Sequence, residues 1–162
     1  MPPILRGPRL TLRPPSEADI DVRLQLGNDR GIHRLYGGSQ ADLRPLTPAD
    51  AAGWFRRLAA DPHGWAIEHG RLIGEIRLHT INPSDRRASL AIGIADATAL
   101  GQGLGTEAIG LVVDHAFGAM GLHRLAVRVL AFQRKGRLRL SKMRLSCRRA
   151  GTGGGPDRWR LA

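Results

Sequence analysis

Gly101-Gln102-Gly103-Leu104-Gly105-Thr106 is the stretch on which the fold turns. It follows an apolar, strand-like run, Ala88-Ser89-Leu90-Ala91-Ile92-Gly93-Ile94, and opens a helical pattern that lasts to about Met120. Two physical needs explain glycines in such a place. An anion such as a diphosphate must approach the backbone closely, and a Cβ would obstruct it. The unpaired N–H groups of a first helical turn, at the positive end of the helix dipole, can then bind the phosphates. The other reading is an ordinary turn that opens a helix, and glycine spacing leaves both open. No Lys-Ser or Lys-Thr follows the glycines, so the stretch is not a P-loop.

Outward from the loop, Ile109, Val112, Val113, Ala116 and Phe117 make the buried stripe of the following helix. Gly121 ends it, and Arg124–Leu130 reads as a strand. Upstream, Trp65-Ala66-Ile67-Glu68 and Leu72–His79 are strands joined by the short turn His69-Gly70-Arg71. Asn82-Pro83-Ser84-Asp85 turns the chain into the run that ends at Ile94. Thr47-Pro48-Ala49-Asp50 starts a helix, with a hydroxyl cap, proline at the first helical position and an acid in the first turn. Residues 27–46 read as loop with a short helical turn, and Ser16 is placed to cap a helix carrying Ile20, Leu24 and Leu26. Arg9-Leu10-Thr11-Leu12-Arg13-Pro14 alternates as a first strand. The three middle strands, with hairpin-length links, are expected to be antiparallel. The strands on either side of the loop and helix are expected to be parallel. This is an α/β chain of the α+β type, a mixed and mostly antiparallel sheet with flanking helices. Its antiparallel pairs fit a Rossmann fingerprint poorly.

Several of these segments resemble the GNAT superfamily of N-acetyltransferases, in the branch that acts on ribosomal proteins and spermidine. They are Leu72-Ile73-Gly74-Glu75-Ile76, Leu90-Ala91-Ile92-Gly93-Ile94, the glycine loop with Glu107-Ala108, and Gly121-Leu122-His123-Arg124-Leu125. Arg9–Pro14 with Ser16-Glu17-Ala18-Asp19 resembles the family's opening. The resemblance implies acetyl-CoA as co-substrate, lying where the strands of Ile94 and Arg124–Leu130 splay apart. It places the diphosphate on the amides of Gly101, Gln102, Gly103, Leu104, Gly105 and Thr106. It places Ile92 and Ile94 along the cofactor, with a backbone N–H near Ile94 polarising the thioester carbonyl. The acceptor amine attacks directly, so positioning and proton transfer suffice. Leu100 departs from the Gln or Arg usual in the family.

Glu75 is the first candidate for the base, since Leu72, Ile73 and Ile76 around it would favour a neutral carboxyl. The other reading is a strand glutamate paired with an arginine. His79 is the second candidate, and it also reads as a surface histidine beside a turn. Ser89 stands where the family often has glutamate, and His123 reads as packing at a strand's start. Tyr36, by resemblance, lies on the acceptor side. Trp54 and Trp65 read as core. No histidine spacing suits a metal, and none is expected.

The formal charge of +11 invites a nucleic-acid reading. Ten of the 25 basic residues, but only one of the 14 acidic ones, fall in residues 133–162. The tail has no interleaved aromatics beyond Trp159, which argues against a nucleic-acid interface. One cysteine, Cys147, allows no internal disulfide. Met1–Arg6 carries no apolar run of a signal peptide, and no stretch approaches the ~20 apolar residues of a membrane helix. A cytoplasmic location is expected.

The resemblance stops after Phe132. The family continues with an asparagine and then a tyrosine that often serves as general acid, whereas this chain reads Gln133-Arg134-Lys135-Gly136. The division expected is a GNAT domain over residues 1–132, incomplete at its end, and a basic tail over 133–162. Arg139–Ser146 can be encoded as CGC CTA TCG AAA ATG CGG CTT TCG. Shifted one base, that string reads Ala-Tyr-Arg-Lys-Cys-Gly-Phe, the family's tyrosine segment; with the abrupt change of composition at residue 133, this makes a frameshifted C-terminus a hypothesis for the tail. Without the family's last strands, the strand Arg124–Leu130 would keep an exposed edge that invites pairing with a second copy. Leu138, Leu140, Met143 and Leu145 would then form a short basic helix. The function expected is acetyl transfer to a primary amine. The alternatives are a self-associating acetyl-CoA-binding remnant and a nucleic-acid-binding tail.

Overall fold

The computed structural model describes residues 1–35, 43–132, 138–146 and 160–161. Its elements run β1 (Leu5–Arg6), β2 (Thr11–Arg13), α1 (Ala18–Leu26), α2 (Arg30–Leu35), α3 (Pro48–Ala59), β3 (Gly64–His69), β4 (Arg71–Asn82), β5 (Arg87–Ile94), α4 (Leu104–Gly118), β6 (Arg124–Phe132), β7 (Leu138–Ser146) and β8 (Arg160–Leu161). The chain divides into two compact units, Met1–Arg77 with Ile92–Val112, and Leu78–Ala91 with Val113–Ala162.

In the first unit β1, β2, β3 and β4 pair antiparallel in chain order. Leu12, Trp65, Ile67, Leu72, Ile73 and Ile76 are fully buried on these strands. Trp54 and Leu58 of α3 pack with Ala66 and Leu72, and Val22 of α1 closes the cluster. The α3 start follows its sequence: the Thr47 side chain accepts from the Asp50 amide, the Asp50 carboxylate accepts from the Thr47 amide, and Pro48 leads the helix. The α1 start does not. Ser16 gives no cap to the helix. Its N–H and hydroxyl instead donate to Asp19 Oδ2, at 2.7 and 3.2 Å. Asp19 is buried and also takes two bonds from the Arg13 guanidinium, at 2.7 and 2.8 Å. A buried carboxylate must be paired, and that demand turns Ser16 inward.

In the second unit β5 and β6 are parallel from Arg87↔Arg124 to Leu90↔Val127. The α4 crossover makes this parallel pairing possible, as its helical length requires. The return from α4 is tied down by the Leu122 amide to Ala116 O (2.9 Å) and the His123 amide to Arg86 O (2.7 Å). Along α4 the buried positions are Leu104, Ala108, Val112, Val113, Ala116 and Phe117, while Ile109 is half-buried. The inward stripe therefore begins a turn earlier than its periodicity suggested.

β7 corrects two expectations. Leu138–Ser146 is a strand, antiparallel to β6 from Phe132↔Leu138 to Arg124↔Ser146, and not a helix. The edge expected on β6 is therefore occupied by the chain's own tail, which removes that reason for self-association. No residue of Leu138–Ser146 is β-branched or aromatic, so its own propensity does not select a strand, and the pairing edge of β6 does. The fold is α+β with a mixed sheet, as the sequence indicated. Among the described residues no helix is long and apolar enough to cross a membrane.

Candidate functional site

The glycine loop sits in the first unit. Gly101 and Gly103 have φ of 75° and 76°, in the left-handed region that side chains other than glycine enter at a cost. Gly101, Gln102, Gly103 and Thr106 are exposed, and Leu104 is buried and roots α4 in the core. Gly103 O accepts from the Glu107 amide at 3.1 Å, so Leu104, Gly105 and Thr106 form the first helical turn, whose amides have no intrahelical acceptor. A Cβ on Gly105 would lie 3.8 Å from Ile92 Cδ1, which sets the loop against the end of β5. Ile92 and Ile94 are half-buried there. A Cβ at Gly74 of β4 would come within 2.1 Å of Gly93 O, so these backbones touch directly.

Between β5 and the loop lies one 3-10 turn, Ala97–Ala99, capped by Asp96. Asp96 Oδ1 accepts from the Thr98 amide (2.9 Å) and hydroxyl (2.6 Å), and Oδ2 from Arg71 Nη2 (2.7 Å). Burial pushes the Asp96 carboxyl up, but the Thr98 and Arg71 bonds outweigh it and hold the group below the usual carboxylate range. Gln102 continues the brace with a 2.6 Å bond from Nε2 to Thr98 O. A cavity of about 230 Å³ opens beside this ion pair, lined by Val22, Gln25, Leu26, Asp29, Arg71 and Asp96 among others.

Glu75 is half-buried on β4, and its Oε2 accepts from Trp54 Nε1 at 2.5 Å. Its charge faces Arg23 of α1. Burial pushes that guanidinium down and the Glu75 charge opposes the shift. The expected arginine pairing of Glu75 is thus replaced by an indole hydrogen bond, with an arginine nearby. His79 is exposed, its Nδ1 3.0 Å from Thr80 Oγ1. It belongs to the second unit, whereas Glu75 belongs to the first. His123 Nε2 lies 2.8 Å from Arg86 Nη1. Trp65 is core, and its Nε1 donates to Pro3 O at 2.7 Å. Tyr36 lies outside the described residues.

Sequence reasoning missed Arg9. Its Nη1 donates to Gln102 O (2.8 Å), and its amide and Nε donate to Glu107 Oε1 (2.9 Å) and Oε2 (2.8 Å). Arg71 with Asp96 was missed for the same reason, since neither pair has a spacing that a sequence pattern marks.

Solved structures share this fold at low identity. An acetyltransferase of the GNAT family from Bacillus anthracis is 15% identical, with a TM-score of 0.64 over 79% of this chain and 74% of its own. A GCN5-related N-acetyltransferase from Brucella melitensis is 18% identical, with a TM-score of 0.66 over 82% of this chain and 62% of its own. Spermidine N-acetyltransferase from Vibrio cholerae, solved with CoA and spermine, is 23% identical, with a TM-score of 0.58 over 76% of this chain and 73% of its own. The chain spans 66% of the length of another acetyltransferase of solved structure. No curated protein matches. The acetyltransferase (GNAT) domain family matches residues 9–137, from Arg9 through the glycine loop and beyond β6, and the chain belongs to that family of acetyl-CoA-using enzymes.

Proposed function

We propose that the chain transfers an acetyl group from acetyl-CoA to a primary amine of a protein N-terminus, a polyamine or a small molecule. The observation that carries this is the loop from Gly101 to Gly103, left-handed at both glycines and opening α4 in a chain of this family. A Cβ at either glycine would crowd an anion approaching the backbone, so the residues present fit a diphosphate. In this reading the amides of Gln102 to Thr106 hold the diphosphate. Backbone groups of Ile92 and Ile94 align the rest of the cofactor, and the thioester supplies the acetyl group.

Glu75 accepts the amine proton in this reading, with Trp54 fixing which carboxylate oxygen is engaged. His79 is the second candidate. The acceptor approaches through the cavity of Val22, Leu26, Asp29 and Arg71. Asp29 attracts an amine, which is cationic before it reacts. Tyr36, outside the described residues, is assigned to the acceptor by family resemblance alone. The Vibrio enzyme's spermine makes polyamines the first acceptors to try.

A second reading, acetyl-CoA binding with little transfer, is favoured by the asparagine and tyrosine missing after Phe132. It treats residues 133–162 as a separate, frameshifted tail, which the gene sequence from Phe132 onward tests directly. Thermal unfolding with saturating acetyl-CoA tests both readings, since a ligand at a hundred times its Kd stabilises by about 2.7 kcal/mol. No rise in Tm would remove both. Release of free CoA with a panel of polyamines, peptides and small amines then separates them.

A further inference from the structure

Glu107 stands in the first turn of α4, beside the glycine loop. A carboxylate there suits an isolated helix end, but it repels any phosphate bound at that same end. Arg9 answers this charge. Its amide and Nε hold both oxygens of Glu107, at 2.9 and 2.8 Å. The bond from the Arg9 amide, more than the side-chain contact, holds the Glu107 carboxyl below its usual range against the opposing effect of burial, so the pair is ionic at neutral pH. His69 Nδ1 meets Arg9 O at 2.7 Å, so the backbone of this one residue is fastened on both sides.

The guanidinium does one thing more. Nη1 draws Gln102 O toward itself at 2.8 Å. In a trans peptide the carbonyl and the following N–H point in opposite directions, so this bond turns the Gly103 amide away from Arg9. Nη2 sits 3.5 Å from where a Cβ of Gly103 would be, on the guanidinium's side of the loop. One arginine from the N-terminal segment therefore sets both the charge and the amide direction of a loop some ninety residues later.

We infer that Arg9 is a positioning residue for the phosphate-bearing end of acetyl-CoA, acting by neutralising Glu107 and orienting the Gln102–Gly103 peptide. This rests on the loop reading given above. Acetyl-pantetheine, which lacks the diphosphate and nucleotide, separates the two ideas. The test measures Kd of acetyl-CoA and of acetyl-pantetheine by calorimetry for the wild type, R9Q, R9K and the double variant R9Q/E107Q.

R9Q is expected to weaken acetyl-CoA about tenfold, as loss of a charge-assisted contact does, and to leave acetyl-pantetheine unchanged. R9Q/E107Q is expected to regain part of that loss, because the bare carboxylate is gone, and R9K to lose less than R9Q. Should R9Q lose its cooperative melt, R9K carries the test. Equal weakening of both ligands, or acetyl-CoA within twofold of wild type, would overturn the role of Arg9. A wild type that binds both ligands equally would overturn the loop reading and this inference with it.

Discussion

Trp54 gives its indole N–H to Glu75: Nε1 lies 2.5 Å from Oε2, and this bond joins the side of α3 to the middle of β4. The indole is at once part of the core and the partner of the proposed base. If Glu75 takes the proton, E75Q lowers kcat by about a hundredfold, within the usual range for loss of a general base. W54F removes the bond while keeping an aromatic ring. It is expected to lower kcat by about tenfold and stability by about 1–2 kcal/mol. Steady-state rates of the double variant decide the connection. Rates equal to those of E75Q place Trp54 upstream of Glu75, and multiplied losses break the link.

Gly74 lies where β4 and the end of β5 meet backbone to backbone. G74A puts a Cβ 2.1 Å from Gly93 O, with no flexible side chain to give way. A loss of 3 kcal/mol or more is expected, on the order of the most severe core substitutions. Gly110, inside α4, has nothing within 4 Å of an added Cβ. G110A should instead stabilise by about 0.5–1 kcal/mol through helix propensity. Urea titration of the two variants reads opposite signs.

Gly103 has room for a methyl, with Arg9 Nη2 3.5 Å away, but its φ of 76° does not suit one. G103A costs about 1–2 kcal/mol if the loop keeps its shape. Relaxation of φ would swing the neighbouring amides. Acetyl-CoA affinity should then fall while the melting of the unliganded protein changes little. Calorimetry beside a thermal melt shows whether the cost falls on the ligand or on the fold.

Acid should unfold the chain through a few named carboxylates. Asp19 is held low because the bonds from Arg13 and Ser16 outweigh the burial that pushes it up, and Asp96 and Glu107 are also held low. A carboxylate with a lowered folded pKa contributes stability that is complete above its unfolded value of about 4. That contribution is lost as pH falls through the folded value. D19N, which takes away one of the two carboxylates paired with Arg13 and leaves Glu68, should cost about 3 kcal/mol at pH 7. It should also flatten the fall in urea midpoint between pH 5 and 2. A fall as steep as in wild type would clear Asp19 of this part.

Local rules carried the reading as far as they reach. Thr47, Pro48 and Asp50 sit within one turn, and they formed the cap their spacing indicated. The link from β5 through α4 to β6 is long enough to make those strands parallel, and they are. What stayed hidden depends on partners brought together by folding. Trp54 and Glu75 are 21 residues apart, and Arg9 and Glu107 are 98 apart, with no periodicity to tie them. Ser16 looked like a cap because its neighbours do, but a buried Asp19 with an arginine at hand made the stronger claim on its N–H. The tail failed for a different reason. Leu138–Ser146 fits either regular structure by pattern, and only the β6 edge selects the strand.

Asp96 has a bearing on the cost of binding as well as on shape. It fastens Thr98 with one oxygen and Arg71 with the other, and Thr98 O in turn holds Gln102. The connection between β5 and α4 is thereby braced by side-chain hydrogen bonds of its own. A ligand that meets a braced surface spends less free energy ordering it than one that must first fold a loose loop. Residues 1–132 hold 15 basic and 13 acidic residues, so salt should act on ligand capture through groups beside the loop, such as Arg9, rather than through the net charge of the chain.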